Sequence, residues 1–447
     1  MTAYADFLTA KKRIYTGRGI DAAPLDLPDP LYRWQSAIVR WALRKGRAAI
    51  FADCGLGKTF MQVAWADALN VPTLFLAPLC VAEQTVAEAA KLGVGLHYAQ
   101  DHSEAHGHRL VITNYERLEK FDTSAFSAVV LDESSILKAF DGKTRTRLIQ
   151  AFSNTPYRLC CTATPSPNDI AELANHAEFL GLMTRPEFLA TWFIRIDQGQ
   201  RTTTHHGWRM KRHAVEPFYR WLASWAVAIR TPQDLGYDDA GFELPPLQIH
   251  DEVLRTDAPV GDALFPEMGA KGLSGRLAAR RTSLDDRVAA VKRFTTTGKT
   301  AHGGCQWLLW CGLNEESDAL AAAIPGAVAV EGSDSYAEKV GAVQAFVRGD
   351  IRVLISKLKI LGYGMNFQHC HHMAFVGLSD SYEQYYQGIR RCWRYGQTVP
   401  VSVHIVVSEA ERMVVENVRQ KEARAADLSA QLLRYMEPFE RDEVGAA

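Results

Sequence analysis

The sequence has no apolar run approaching the ~20 residues that a membrane-spanning helix needs, which argues against an integral membrane protein. It has no excess of either charge. Fifty Lys and Arg stand against 51 Asp and Glu, a net charge of −1, so neither a uniformly basic nucleic-acid coat nor an acidic disordered tail is present. A local basic groove remains compatible with that balance. Eight cysteines, at 54, 80, 160, 161, 305, 311, 370 and 392, include no C-x-x-C pair and read as reduced core thiols. Residues 1–19 carry basic side chains with no apolar core behind them, so a signal peptide is not expected, and a cytoplasmic protein is. Short repeats and low-complexity segments are absent as well.

What is present is an ordinary globular composition, with 47% apolar and 23% charged residues in 447. That length allows two to four domains and a core large enough to need no disulfides. Short apolar runs at 48–51, 73–77, 110–113, 128–131 and 158–161 are separated by helical patterns, and the alternation returns at 306–311, 327–330, 352–356, 373–376 and 401–407. Strands alternating with helices predict α/β lobes, each a mostly parallel sheet covered on both faces. Two lobes account for most of the chain.

Between them the character changes. Residues 183–230 carry eight basic and three acidic side chains, and residues 271–293 carry seven and two, so the remainder is net −11. The first stretch also holds Trp192, Trp208, Trp221 and Trp225 beside Thr202–His206 and Gly207, read as a mobile polar loop. It is either part of a phosphate-binding track or a solvated linker with core tryptophans. Tyr237 to Pro246 reads as an extended linker.

The sharpest motif is Ala52-Asp53-Cys54-Gly55-Leu56-Gly57-Lys58-Thr59, set between an apolar strand and a helical pattern. Gly55 and Gly57 let backbone N–H groups turn toward phosphate oxygens, Lys58 supplies a point charge, Thr59 supplies a Mg²⁺ ligand, and the helix offers its positive end. Asp132-Glu133 follows the run 128–131 directly. In this setting Asp132 is the second Mg²⁺ ligand and Glu133 orients and deprotonates the attacking water.

Together these motifs resemble motifs I and II of superfamily-two helicases and translocases. Other segments agree, in the family's order. Leu31-Tyr32-Arg33-Trp34-Gln35 looks like the Q motif, Leu76-Ala77-Pro78 and Thr113-Asn114-Tyr115-Glu116 like motifs Ia and Ib, and Thr162-Ala163-Thr164-Pro165 like motif III. Gly362-Tyr363-Gly364-Met365-Asn366 looks like motif V, and the run from Gln387 to Gln397 like motif VI. Lys138, the segment Thr164 to Leu173, Ile229-Arg230-Thr231 and Glu243-Leu244-Pro245-Pro246 are similar to the Swi/Snf-type group.

The resemblance implies two RecA-like lobes: an N-terminal segment 1–30, lobe one at 31–182, a basic insertion and linker at 183–284, and lobe two with a C-terminal helix at 285–447. That helix is expected to pack back on lobe two. The resemblance also implies a DNA-dependent ATPase using ATP and Mg²⁺, with Gln35 as adenine reader and Arg391 and Arg394 as arginines that lobe closure brings to the γ-phosphate. Thr162, Thr164 and Gln387 would couple hydrolysis to movement, and Arg209, Lys211, Arg212, Asn114 and Gly362 would meet nucleic acid. Double-stranded DNA is the expected track, moved along without strand separation. RNA or a single strand is the alternative substrate. A nucleotide-switched scaffold for a nuclease or methyltransferase partner is the alternative of another class.

Departures from the family are specific. The acidic motif reads Asp-Glu-Ser-Ser, shifting the usual coupling contact to Ser135, and Lys357-Leu358-Lys359 precedes motif V where smaller residues are common. The chain also looks short for the protrusions of chromatin remodellers, which suggests a compact motor of bacterial or phage type. His369-Cys370-His371-His372 looks metal-like, but adjacent strand residues point to opposite faces and would not share an ion. Cys305 and Cys311 bracket a predicted strand, which argues against a shared metal. His205-His206 reads as a loop contact to phosphate, or as nothing.

Overall fold

A computed structural model describes residues 14–78, 81–138, 142–195, 208–255, 272–297, 305–362 and 365–445. The Thr202–His206 loop with Gly207, and Tyr363-Gly364 of the motif V segment, lie outside the described residues, as does Cys80. The chain divides into two compact units. One comprises the chain up to Ala240 together with Arg424 onward, and the other is Gly241–Ala423.

The first unit is built on β1 (Arg47–Ala52), β2 (Thr73–Ala77), β3 (His97–Tyr98), β4 (Leu110–Asn114), β5 (Ala128–Asp132) and β6 (Tyr157–Cys161). β7 (Phe193–Arg195) and β8 (Trp208–Met210) form a small antiparallel ribbon, and β9 (Ala226–Ile229) returns to the main sheet. The seven-stranded order is β3-β4-β2-β5-β6-β1-β9, and every pairing is parallel. β2, β4 and β5 are buried along their whole length, the pattern expected of strands covered on both faces.

The second unit holds β10 (Leu247–Leu254), β11 (Trp307–Cys311), β12 (Ala327–Val330), β13 (Val353–Lys357), β14 (His372–Val376) and β15 (Val401–Ser408). Their order is β10-β15-β14-β11-β13-β12, again all parallel. The chain is therefore α/β with two parallel sheets, as expected.

Three expectations need correction. The segment read as a basic insertion belongs largely to the first unit: β9 is the sheet's edge strand, and Trp192, Trp221 and Trp225 are buried in its core. β10 extends the second sheet where no strand was foreseen. It alternates half-buried and exposed positions, so it carries no continuous apolar run. The last helix, Arg412–Gly445, does not pack wholly on the second unit. Its distal part belongs to the first, where Leu432 and Met436 enter the core and Tyr435 stacks on Tyr219 with ring centroids 4.8 Å apart. There Glu440 accepts a 2.6 Å hydrogen bond from the Ala228 N–H on β9, and Glu443 pairs with Lys45 at 2.7 Å.

Candidate active site

The phosphate-loop segment leaves β1 and enters the helix Lys58–Leu69. Gly55 and Gly57 take left-handed φ of 91° and 71°, which L side chains rarely adopt. A Cβ on Gly57 would also lie 2.4 Å from Gln35 Nε2. The loop thus needs glycine here for two separate reasons. Lys58 Nζ donates to the Ala52 carbonyl at 2.9 Å and the Asp53 carbonyl at 3.3 Å, which keeps the ammonium at the loop. Thr59 follows in the helix's first turn, partly buried.

Gln35 is placed differently from an exposed base reader. It is buried; its Nε2 donates to the Leu56 carbonyl at 3.0 Å, and its Oε1 accepts from Tyr32 N–H at 3.0 Å. In this arrangement the amide braces the loop from behind.

Asp132 ends β5 and lies in a buried polar cluster. Gln62, one turn into the helix after the loop, donates from Nε2 to Asp132 Oδ1 at 2.8 Å, and Tyr115 Oη donates to the Asp132 carbonyl at 2.7 Å. Burial, with Glu133 adding to it, pushes the Asp132 carboxyl up to about 6 against the opposing pull of Gln62 and Lys58. A buried acid in this state suits a divalent cation, which would offset both the desolvation and the like charge. Glu133 sits at φ 51°, one of two non-glycine residues with positive φ among those described. Such strain costs about 1–3 kcal/mol and persists where the surroundings impose it. Thr162 Oγ1 donates to Glu133 Oε2 at 3.3 Å and accepts from Thr164 N–H at 3.1 Å. The structure thus joins Lys58 and Thr59 on one segment to Asp132, Glu133, Thr162 and Thr164 on two others, all just beyond the carboxyl ends of neighbouring strands.

Two members of this cluster went unread in the sequence. Gln62 is one. His176 is the other: its Nε2 lies 3.1 Å from Ser134 Oγ, and burial pushes its imidazole down to about 3, so it is neutral. Ser135, the residue expected to make the coupling contact, is buried.

In the second unit, Gln387 lies in the helix Tyr382–Ile389, and Arg391 and Arg394 follow it. Arg391 is nearly buried: its Nε donates to the Gln387 carbonyl at 3.0 Å, one terminal nitrogen to Gln387 Oε1 at 2.6 Å and the other to the Met365 carbonyl at 3.0 Å. It ties the helix end to the motif V segment rather than standing open to a phosphate. Arg394 is more exposed. Arg390 is buried among Tyr386, Trp393 and Tyr395, with its guanidinium 4.9 Å from the Trp393 ring centre.

The expected nucleic-acid residues separate into two sets. Arg209 and Arg212 are exposed. Lys211 is half-buried, and its Nζ caps the end of the helix Arg185–Trp192 through the Ala190 and Thr191 carbonyls, at 2.6 and 3.1 Å. Asn114 is fully buried at the end of β4, accepting from Tyr98 Oη of β3 at 3.0 Å and donating to the carbonyl of Pro78, just past β2, at 3.3 Å, so it joins neighbouring strand ends instead of meeting solvent. Gly362 is buried too, and a Cβ there would lie 2.2 Å from the Leu358 carbonyl oxygen. The second basic stretch is also partly internal. Arg280 and Arg287 both bind buried Glu316, with N–O distances of 2.7 and 2.8 Å, so neither is a surface cation.

Residues 33–197 match the SNF2-related domain, and residues 286–396 match the helicase conserved C-terminal domain. A search of curated proteins gives no match. No helix among the described residues is long and apolar enough to cross a membrane. Two parallel sheets, a phosphate loop with its acidic pair in the first, and a match to both domains in the expected order lead to one conclusion: the chain belongs to the Snf2-like helicases and translocases of superfamily two.

Proposed function

We propose that this protein is an ATP-driven motor that moves along double-stranded DNA without separating its strands. The observation that carries the reading is buried Asp132 next to half-buried Glu133, with a loop whose glycines and Lys58 suit a triphosphate. Loop N–H groups and Lys58 hold the phosphates, and Thr59 and Asp132 hold Mg²⁺. The bound ion neutralises phosphate charge. Glu133 orients the attacking water and accepts its proton, and its link to Thr162 passes the change toward Thr164. Arg391 and Arg394 are the arginines that would stabilise transition-state charge, and Arg391 also holds the motif V segment through the Met365 carbonyl. Arg209 and Arg212 are the exposed cations suited to a phosphate backbone.

ATP turnover measured alone, then with duplex DNA, single-stranded DNA and RNA at one fixed salt concentration, tests the reading. Stimulation by duplex DNA above the other polymers is expected. Preference for RNA or single strands would move the protein among unwinding helicases. No turnover with any polymer would favour a switch that acts through a nuclease or methyltransferase partner.

A further inference from the structure

The segment His369-Cys370-His371-His372 would not share an ion if all four residues lay in a strand. They do not. β14 begins only at His372, so His371 precedes the strand and escapes its alternation. β11 and β14 are neighbours paired in register at Trp307 and His372, which brings Cys305, two residues ahead of Trp307, to the same corner of the second sheet. The ligating atoms of Cys305, His371 and His372 all lie within 4.8 Å of one another.

We propose that Cys305, His371 and His372 bind a divalent transition-metal ion of the zinc class, which fastens together the amino ends of two adjacent strands. The donor set carries the identity. One thiol and two imidazoles suit zinc and its neighbours, whereas magnesium and calcium demand oxygen. Around a tetrahedral ion with bonds of about 2.0–2.3 Å the donors stand about 3.3–3.6 Å apart, so side-chain rotations of about an ångström complete the site. Three protein ligands leave a fourth position for water.

The surroundings hold the donors in place. The Trp307 ring stacks on His372 with centroids 4.9 Å apart and planes 20° apart, fixing the imidazole plane. The His371 carbonyl accepts from Ser402 N–H at 2.8 Å, and the His372 carbonyl accepts from Cys370 Sγ at 3.2 Å. His372 Nδ1 is buried and has no hydrogen-bond partner among the described residues. Binding converts the Cys305 thiol to thiolate and releases its proton to solvent.

This corner lies at the amino ends of the strands. Catalytic ligands of open α/β sheets sit beyond the carboxyl ends, where Lys357 closes β13 and the Tyr382–Ile389 helix comes after β14. The ion is therefore a fastening of the sheet, apart from the chemistry of ATP.

The test uses the full chain, free of any histidine tag, stripped with chelator and titrated with Co²⁺ as a spectroscopic stand-in for Zn²⁺. One equivalent should bind with a thiolate-to-cobalt charge-transfer band, and Zn²⁺ should displace it. Cys305→Ser should lose the band while keeping basal ATP turnover, which shows that the variant is folded. His372→Ala should weaken binding by about 10-fold or more, at least the loss seen when an outer-shell partner is removed. His369→Ala, whose ring packs 5.2 Å from Phe346 instead, should titrate as the parent does. A parent protein without the charge-transfer band, or a band that survives in Cys305→Ser, would overturn the proposal.

Discussion

The two units carry sheets of the same kind and store their charged side chains in opposite ways. In the first, Asp132 at the end of β5 is buried beside a neutral partner, Gln62, and half-buried Glu133 accepts from Thr162. The Asp132 carboxyl is raised by burial, and that cost falls when a cation arrives. In the second, the cations come already matched. Arg391 is bound by Gln387 and the Met365 carbonyl, Arg390 by three aromatic rings, and Arg280 and Arg287 by Glu316. Burial alone would raise the Glu316 carboxyl, but the two arginines and the Gly312 N–H outweigh it and hold it low. One unit is thus poised to receive charge, and the other must exchange existing bonds before it can offer any.

The largest effects should come from the two motif VI arginines. Arg394→Ala and Arg391→Ala should each lower turnover about 10³-fold or more, the scale of an arginine finger. Arg391→Ala should also lower thermal stability, since it removes bonds to Gln387 and Met365. Normal single-turnover hydrolysis in either variant would remove that residue from the role.

On the acidic side, Glu133→Gln should cost about 10²–10⁴-fold in turnover while ATP stays bound and unhydrolysed. Lys58→Ala should cost about 10²–10³-fold, with weaker ATP binding as well. Single-turnover kinetics beside nucleotide-binding titrations read both. Normal hydrolysis by the glutamine variant would place the base elsewhere.

Within the second unit, Arg287→Ala leaves buried Glu316 with Arg280 as its remaining guanidinium partner and should destabilise the unit, whereas Glu316→Leu takes the shared partner from two buried arginines and should cost more, about 3–5 kcal/mol. Urea unfolding measures each.

The smallest effect concerns the first unit's own buried acid. Burial, followed by Asp234 and Glu437, raises the Glu440 carboxyl well above its ordinary range despite the Ala228 N–H bond. The folded state therefore binds the proton more tightly than the unfolded one. Its contribution is fully present below the ordinary glutamate pKa and is lost as pH rises through the folded value. Glu440→Gln should remove that slope. Between pH 5 and 8 the parent should lose about 1.4 kcal/mol relative to the variant for each unit of raised pKa traversed. Parallel stability curves for parent and variant would rule the effect out.

The ten apolar runs that announced strands did so because parallel strands buried on both faces have no polar alternation to disguise them. β10 lacks that property, being an edge strand with exposed positions, and was hidden for that reason; β9 is a buried run of four apolar residues that went unread among tryptophans and arginines. The phosphate loop and acid pair were legible because loop, strand end and helix start are contiguous in the chain. Asn114 and Gly362 were expected to meet nucleic acid and Gln35 to read adenine; residue type does not reveal burial, and all three are enclosed.

What the sequence by itself determined was local: hydrophobic period, glycine where φ turns positive, and acids at a strand end. Only tertiary structure decided which distant side chains share a site. Gln62 reaches Asp132, His176 reaches Ser134, and Cys305 reaches the histidine pair, because parallel crossovers bring remote segments side by side. A sequence records each residue's chemistry, but the partner that a buried polar group requires is chosen by the packing of the whole sheet.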